Sequence, residues 1–279
     1  PAFYGDFFEC IRQLDAPSCD CLTSIPPSVP WKTARLLASA AELNERRYVM
    51  CEVSDHSQRY RPAGDKRPPV IVTEEQVLGT CYKLICGGIN TFTSYYGWNQ
   101  FGDEQVKEIN MRVGRCITMM AGGHSAADIA LLYPSDALKA AFTPSYFWSN
   151  GRGVRRVADA FDSAGTSLYG DGREYTVIDA AAVSEASVRG GQLRHGKLRW
   201  DALILPCAEA LPLKALRRAY AFWKSGGVVI AMGKIPTNSG DAFPCKETAE
   251  LSAEMFGNGK EFSAKSSSSG GSAVFLPPS

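Results

Sequence analysis

Short apolar runs that end in polar or acidic residues alternate with amphipathic segments along most of this chain, and this alternation restricts its fold more than any other feature. The clearest run is Tyr48-Val-Met-Cys-Glu-Val-Ser-Asp55. It follows a segment from Trp31 to Arg47 that sets alanines and a leucine at helical spacing (Ala34, Leu37, Ala38, Ala41). After a further helical stretch comes a second run, Ile89-Asn-Thr-Phe-Thr-Ser-Tyr-Tyr96. Helix, strand with an acid, helix, strand with aromatics is the order found in (β/α) barrels, whose chemistry sits at the carboxyl ends of the strands. Glu52 is therefore the first candidate for a reactive side chain.

Bulk properties exclude more than they assign. With 279 residues, 45% hydrophobic and 21% charged, the chain suffices for one large or two ordinary globular domains. A net charge of +1 supplies no field for nucleic acid or an anionic membrane. No apolar run reaches the roughly 18–20 residues that cross a bilayer. Nine cysteines contain no CxxC pair and only three histidines accompany them, which argues against zinc. Cys51, Cys81, Cys86 and Cys116 lie in apolar runs and read as buried, reduced thiols, pointing to a reducing, cytoplasm-like compartment. The chain opens on Pro1 and stops at Phe275-Leu-Pro-Pro-Ser279 directly after a strand-like run, so both ends read as cut from something longer. The absence of a targeting signal then assigns no location.

Two halves differ in grammar. In residues 1–125, strands are expected at Cys19–Ile25, Tyr48–Glu52 and Ile89–Ser94. Helices are expected at Asp6–Asp15, Trp31–Arg47, from the capping box of Thr73 and Gln76 to Cys86, and at Asp103–Met120. Three βα units fall short of the eight strands a closed barrel needs, so this half is expected to be the last strands of a (β/α)8 barrel whose other strands precede Pro1. Residues 126–279 carry continuous apolar strands (Ala127–Tyr133, Glu174–Asp179, Asp201–Leu205, Val228–Met232, Val274–Leu276). These alternate with helices Arg152–Ser163 and Leu213–Lys224, the pattern of a doubly wound parallel sheet. A small hairpin is expected at Leu193–Leu198, and a Ser/Pro/aromatic-rich loop after Pro134. Ser266-Ser-Ser-Ser-Gly-Gly271 reads as a flexible surface loop.

The segments Arg35-Leu-Leu-Ala-Ser-Ala-Ala41, Arg46-Arg-Tyr-Val-Met-Cys-Glu52 and Gly88-Ile-Asn-Thr-Phe92 resemble the late barrel strands of α-L-rhamnosidases, with a looser likeness to bacterial β-galactosidases. Ala127-Asp-Ile-Ala-Leu-Leu-Tyr-Pro134, Asp201-Ala-Leu-Ile-Leu-Pro206 and Gly226-Gly-Val-Val-Ile230 resemble the flavodoxin or class I amidotransferase-like domain that follows the barrel in those enzymes. The resemblance covers about residues 30–276 and rests on the order of segments. It implies hydrolysis of a carbohydrate substrate by two carboxylates, with Glu52 as nucleophile or general base at the end of the seventh strand. The acid partner would come from near the fourth strand, upstream of Pro1, so the chain alone is expected to be inactive. Calcium is implied by the resemblance only. One departure concerns sugar specificity: Tyr95 and Tyr96 stand where the rhamnosidase-like pattern carries a histidine.

Each candidate has a plainer reading. Glu52 is either functional or a structural ion pair with an arginine such as Arg59. Asp55 and His56 either orient substrate hydroxyls or are solvated loop residues. Tyr95, Tyr96, Trp98 and Asn99, with Trp31 a weaker case, suit a sugar subsite because ring faces stack on sugars, or else they pack a loop. Cys207 suggests an amidotransferase nucleophile, but Leu205-Pro-Cys-Ala-Glu-Ala210 lacks the glycines of a sharp elbow. Gly151-Arg-Gly153 reads as a plain helix start rather than an anion cradle. The rival function is a non-catalytic carbohydrate-binding or assembly module.

Overall fold

The computed structural model describes residues 6–60, 63–143 and 151–278. Parts of two expected loops, residues 61–62 and 144–150, lie outside the described residues. The chain divides into two units, one of residues 11–123 and one of 1–10 with 124–279. Helix α1 (Phe7–Arg12) begins in one and ends in the other.

In the unit of residues 11–123, three parallel strands pair in the order β1 (Ser18–Cys21), β2 (Met50–Ser54), β3 (Thr91–Tyr95). Between them run α2 (Trp31–Leu43), the short α3 (His56–Arg59) and α4 (Glu74–Cys86), and α5 (Asp103–Met120) follows. Several boundaries differ from expectation for visible reasons. Helix α2 stops at Leu43, short of Arg47, because Glu45 turns left-handed (φ 53°) and the Arg46 N–H closes back on the Ala41 carbonyl at 2.9 Å. Strand β2 starts at Met50 rather than Tyr48, since the Val49 N–H goes to the Asn90 side chain at 2.9 Å. Strand β1 ends at Cys21 rather than Ile25; beyond it the chain turns through a 3-10 segment at Pro26–Ser28.

The capping box forms as expected. Thr73 Oγ1 accepts the Gln76 N–H (3.3 Å) and Gln76 Oε1 accepts the Thr73 N–H (2.9 Å). Thr73→Ala is expected to lower stability by about 1 kcal/mol, read as a shift in the urea midpoint, while Thr73→Ser should leave it nearly unchanged.

Alternation sorts the sheet into two faces. Cys21, Cys51 and Val53 are fully buried, and Cys21 sits close enough to Cys81 of α4 to disfavour its ionisation. Burial pushes Cys81 up to about 12. That face therefore lies against the helices. The in-register residues of the opposite face, Asp20, Glu52 and Thr93, are exposed or half-exposed. All nine cysteines are free thiols, but two expectations are corrected. Cys86 is exposed and Cys116 half-buried, because they lie on the outer sides of α4 and α5.

The other unit is a sheet in the order β11-β12-β10-β9-β4-β5. Its parallel strands are β4 (Ile129–Leu132), β5 (Tyr175–Ile178), β9 (Ala202–Pro206), β10 (Val228–Met232) and β12 (Ser272–Leu276), with β11 (Ser263–Ser266) antiparallel at the edge. Helices α6 (Ser135–Ala141), α7 (Arg152–Gly170), α8 (Ala180–Glu185), α9 (Leu213–Lys224) and α10 (Lys246–Phe256) connect them. A small antiparallel sheet joins β6 (Ser187–Arg189), β7 (Gln192–His195) and β8 (Leu198–Trp200), so the expected hairpin gains a third strand. This is a doubly wound α/β sheet. Phe222, Phe256, Phe275 and Leu131 are fully buried in its core, each worth about 1.5–3 kcal/mol by transfer from water.

Helix α7 runs seven residues past the expected Ser163, because Gly165 does not terminate it but lets it approach Tyr175: a Cβ there would lie 2.8 Å from the phenol oxygen. The segment Ser266–Gly271 is also corrected. It is an ordered turn between β11 and β12, in which the Ser267 N–H donates to the Gly271 carbonyl (2.8 Å) and the Gly271 N–H to Ser267 Oγ (2.9 Å).

Candidate functional site

The site is built on the open face and the carboxyl edge of the three-stranded sheet. Glu52 lies in the middle of β2, not at its end, and points away from the helices. Asp20 and Thr93 flank it in register. Adjacent strands lie about 4.8 Å apart, so Asp20 brings a second carboxylate beside Glu52. Sequence reasoning missed Asp20. Its signal was the alternation in Ser18-Cys-Asp-Cys21, which sends both cysteines to one face and the acid to the other.

At the carboxyl edge, side chains tie the strand ends together. Ser24 Oγ shares a 2.7 Å hydrogen bond with the Tyr96 hydroxyl and donates to the Ser54 carbonyl at 3.2 Å. Gln58 Oε1 accepts the Ser24 N–H at 3.0 Å, and its Nε2 donates to Thr23 Oγ1 at 3.0 Å. Tyr96 is thus buried, and its ring edge meets Trp98 at 5.2 Å between centroids. Burial raises its pKa well above that of a free phenol.

Arg59 belongs to Asp55 rather than to Glu52. Its guanidinium donates to Asp55 Oδ1 through Nε (3.1 Å) and Nη2, and to the Tyr95 carbonyl at 3.1 Å. Asp55 is 2% exposed, which replaces the solvated-loop reading. It opens α3 and clamps the end of β3 through Arg59. Asp55→Ala is expected to cost about 2 kcal/mol, since a removed partner strands a charge but Arg59 keeps water access. Chemical denaturation checks this against Arg59→Ala and the double variant.

The remaining candidates spread along this edge. His56 is exposed and stacks on Tyr60 at 4.6 Å. Tyr95 is 59% exposed, with the Arg59 guanidinium 5.9 Å from its ring centre. Trp98 is half-buried and Asn99 exposed on the 3-10 turn Trp98–Gln100. Trp31 is the first residue of α2 and half-buried. The edge therefore holds Asp55, Tyr95, Tyr96 and Trp98 together, with Glu52 further down the sheet. Among the described residues no three His, Cys, Asp or Glu side chains converge on a point.

In the other unit, Cys207 follows β9 with φ 47°, a conformation that costs a non-glycine residue about 1–3 kcal/mol. Its N–H donates to the Met232 carbonyl at 2.7 Å. A sharp turn thus exists without the glycines the sequence was expected to need. The thiol is buried, and burial raises its pKa while Arg156 pulls the other way.

No family model matches the chain, and no curated protein does. Among solved structures, it overlays the rhamnosidase of Novosphingobium sp. PP1Y at TM-score 0.61 and 16% identity, covering 98% of this chain and 26% of that one. A catalytic mutant of Gan42B, a GH42 beta-galactosidase from G. stearothermophilus, overlays at TM-score 0.63 and 12% identity, over 98% of this chain and 48% of that one. The fold is glycoside-hydrolase-like. A beta-galactosidase from Bacillus circulans sp. alkalophilus is also similar, at TM-score 0.53 and 13% identity, over 83% of this chain and 34% of that one. The chain therefore spans between about a quarter and a half of the length of these structures.

Proposed function

We propose that the chain belongs to a glycoside hydrolase, α-L-rhamnosidase-like, in which Glu52 is the nucleophile or general base. In this reading, residues 1–125 are the C-terminal part of the catalytic barrel and 126–279 an amidotransferase-like domain. The acid that protonates the leaving oxygen comes from barrel strands beyond the three in this chain. The observation that carries the reading is the orientation of Glu52: helices back the opposite face of its parallel sheet, so the carboxylate faces what is the interior in a (β/α) barrel. Asp20 and Thr93 beside it, and Tyr95 and Trp98 at the edge, supply hydroxyl-binding and ring-stacking groups for a sugar.

The test is release of nitrophenol from α-L-rhamnoside and β-D-galactoside by the protein in its full-length form. Turnover that depends on Glu52 supports the proposal, and preference for the rhamnoside supports its finer part. Sugar binding without turnover in that form leaves the carbohydrate-binding module instead. An amidotransferase reading draws on the turn at Cys207, but burial raises the pKa of that thiol, which works against the thiolate such chemistry uses.

A further inference from the structure

The doubly wound sheet contains a crevice that the reading above does not use. The chain leaves β4 towards β5 on one side, through α6 and α7, and leaves β9 towards β10 on the other, through α9. Neighbouring strands whose connections diverge leave an opening at their carboxyl ends, where open α/β sheets bind ligands. A cavity of about 700 Å³ lies there. It is lined by the segments that follow β4 (136–141), β9 (209–210) and β10 (238–243), and by the start of α7. That volume falls in the range of small-molecule sites.

The chemistry of the lining selects the ligand. The lining holds two cations, Lys139 and Arg156, and two carboxylates, Asp136 and Glu209, and the charges of Asp6 and Asp241 also act on Asp136, so it offers no positive field to an anion. Both cations are already engaged: Lys139 Nζ lies 2.6 Å from Asp6, and Arg156 Nη2 lies 3.3 Å from Glu209. A phosphate would have to break these pairs. The turn from β4 into α6, Tyr133-Pro134-Ser135, has none of the glycines that bring backbone N–H groups onto a nucleotide phosphate. Asp136 is half-buried, and burial raises its pKa while Lys139 opposes the rise. Close to it, a Cβ at Gly240 would stand 3.6 Å from Asp136 Oδ1. Asn238 adds an amide, and Phe243 presents a ring that is 79% exposed. Carboxyl and amide groups that bond hydroxyls, beside an exposed aromatic face, suit a ligand that is neutral, rich in hydroxyls and apolar on one side.

We propose that this crevice is a second carbohydrate-binding site that takes a neutral sugar, separate from the Glu52 face. It stands whether or not Glu52 is catalytic.

The test is titration calorimetry with L-rhamnose and with D-galactose as probes, on the protein and on Glu52→Gln, Asp136→Asn and Phe243→Ala. Binding is expected to persist in Glu52→Gln and to weaken about tenfold in Phe243→Ala, the loss of one stacking face. Phe243 is so exposed that its removal leaves the core intact, which keeps the test valid if Asp136→Asn fails to fold. Binding that is unweakened in both crevice variants overturns the site. So does the absence of any sugar heat up to the solubility limit. Displacement of the sugar by inorganic phosphate would make the crevice an anion site and also overturns it. Loss of hydrolysis in Glu52→Gln bears on the proposed enzyme alone, so the two ideas fail separately.

Discussion

On the function proposed above, replacing Glu52 by glutamine in the full-length form is expected to lower kcat for glycoside hydrolysis by about 10³-fold, within the range by which positioned acid–base groups accelerate reactions. At 1.36 kcal/mol per factor of ten, that is about 4 kcal/mol of transition-state stabilisation. Glutamine keeps the shape and hydrogen-bonding reach of glutamate but can neither attack an anomeric carbon nor take a proton from water. Sugar affinity should therefore stay within a few-fold of the parent, so that kcat falls and KM does not rise. A merely structural glutamate predicts the opposite: a lowered melting temperature and little selective loss of kcat. Glu52 is half-exposed, on a face that carries Asp20 and Thr93 rather than a core, so its removal should cost little stability. The anomeric form of the first product, followed by NMR, separates the two roles. Retention assigns Glu52 as nucleophile and inversion as general base. Unchanged kcat in the variant would sink the proposed mechanism.

Gly271→Ala is expected to cost about 3 kcal/mol, the upper end for overpacking by a single methyl. A Cβ at that position would lie 2.0 Å from the Trp223 carbonyl oxygen and 2.9 Å from that of Gly227. Both are backbone atoms, at the end of α9 and the start of β10, and cannot swing aside as a side-chain tip can. Gly271 also leads directly into β12, whose Ser272 N–H donates to the Gly227 carbonyl at 3.1 Å. The added methyl must push the last parallel strand away from its neighbour. Gly270, by contrast, would place a Cβ in open space, but its φ of 83° still disfavours a side chain. Gly270→Ala should cost about 1 kcal/mol. Thermal unfolding of the two variants checks the order. Equal melting temperatures would contradict the packing described for the turn.

How far this was legible depends on which physical signal dominates locally. Helices α5 and α9 and strand β10 begin and end where the sequence predicts, because Gly102-Asp103, Pro212-Leu213 and Gly226-Gly227 are local stop or start signals that need no tertiary partner. Strand β2 is offset because Tyr48 and Val49 fit a strand pattern by hydrophobicity, whereas Asn90, distant in sequence, takes the Val49 N–H. Strand β11, Ser263-Ala-Lys-Ser266, shows no apolar signal at all; as an edge strand it needs only a backbone partner, and a lysine suits that position. At the candidate site, Glu52 was visible from its place in an apolar run. Asp20 was not, since its importance is a matter of register with another strand. Asp55 looked like a loop acid, and only Arg59, one helical turn on and tied to the Tyr95 carbonyl, explains its burial.

By itself, the amino-acid sequence determined the strand–helix alternation, the helix caps, the division into two grammars and the face of β2 on which Glu52 lies. All of these follow from backbone preferences and side-chain periods within a few residues. Only the tertiary structure decided strand order, and with it the pairing of Asp20 with Glu52, the left-handed turn at Cys207 and the crevice between β4 and β9. Those depend on contacts between residues far apart in the chain, whose energies are set by which surfaces meet and not by any local pattern.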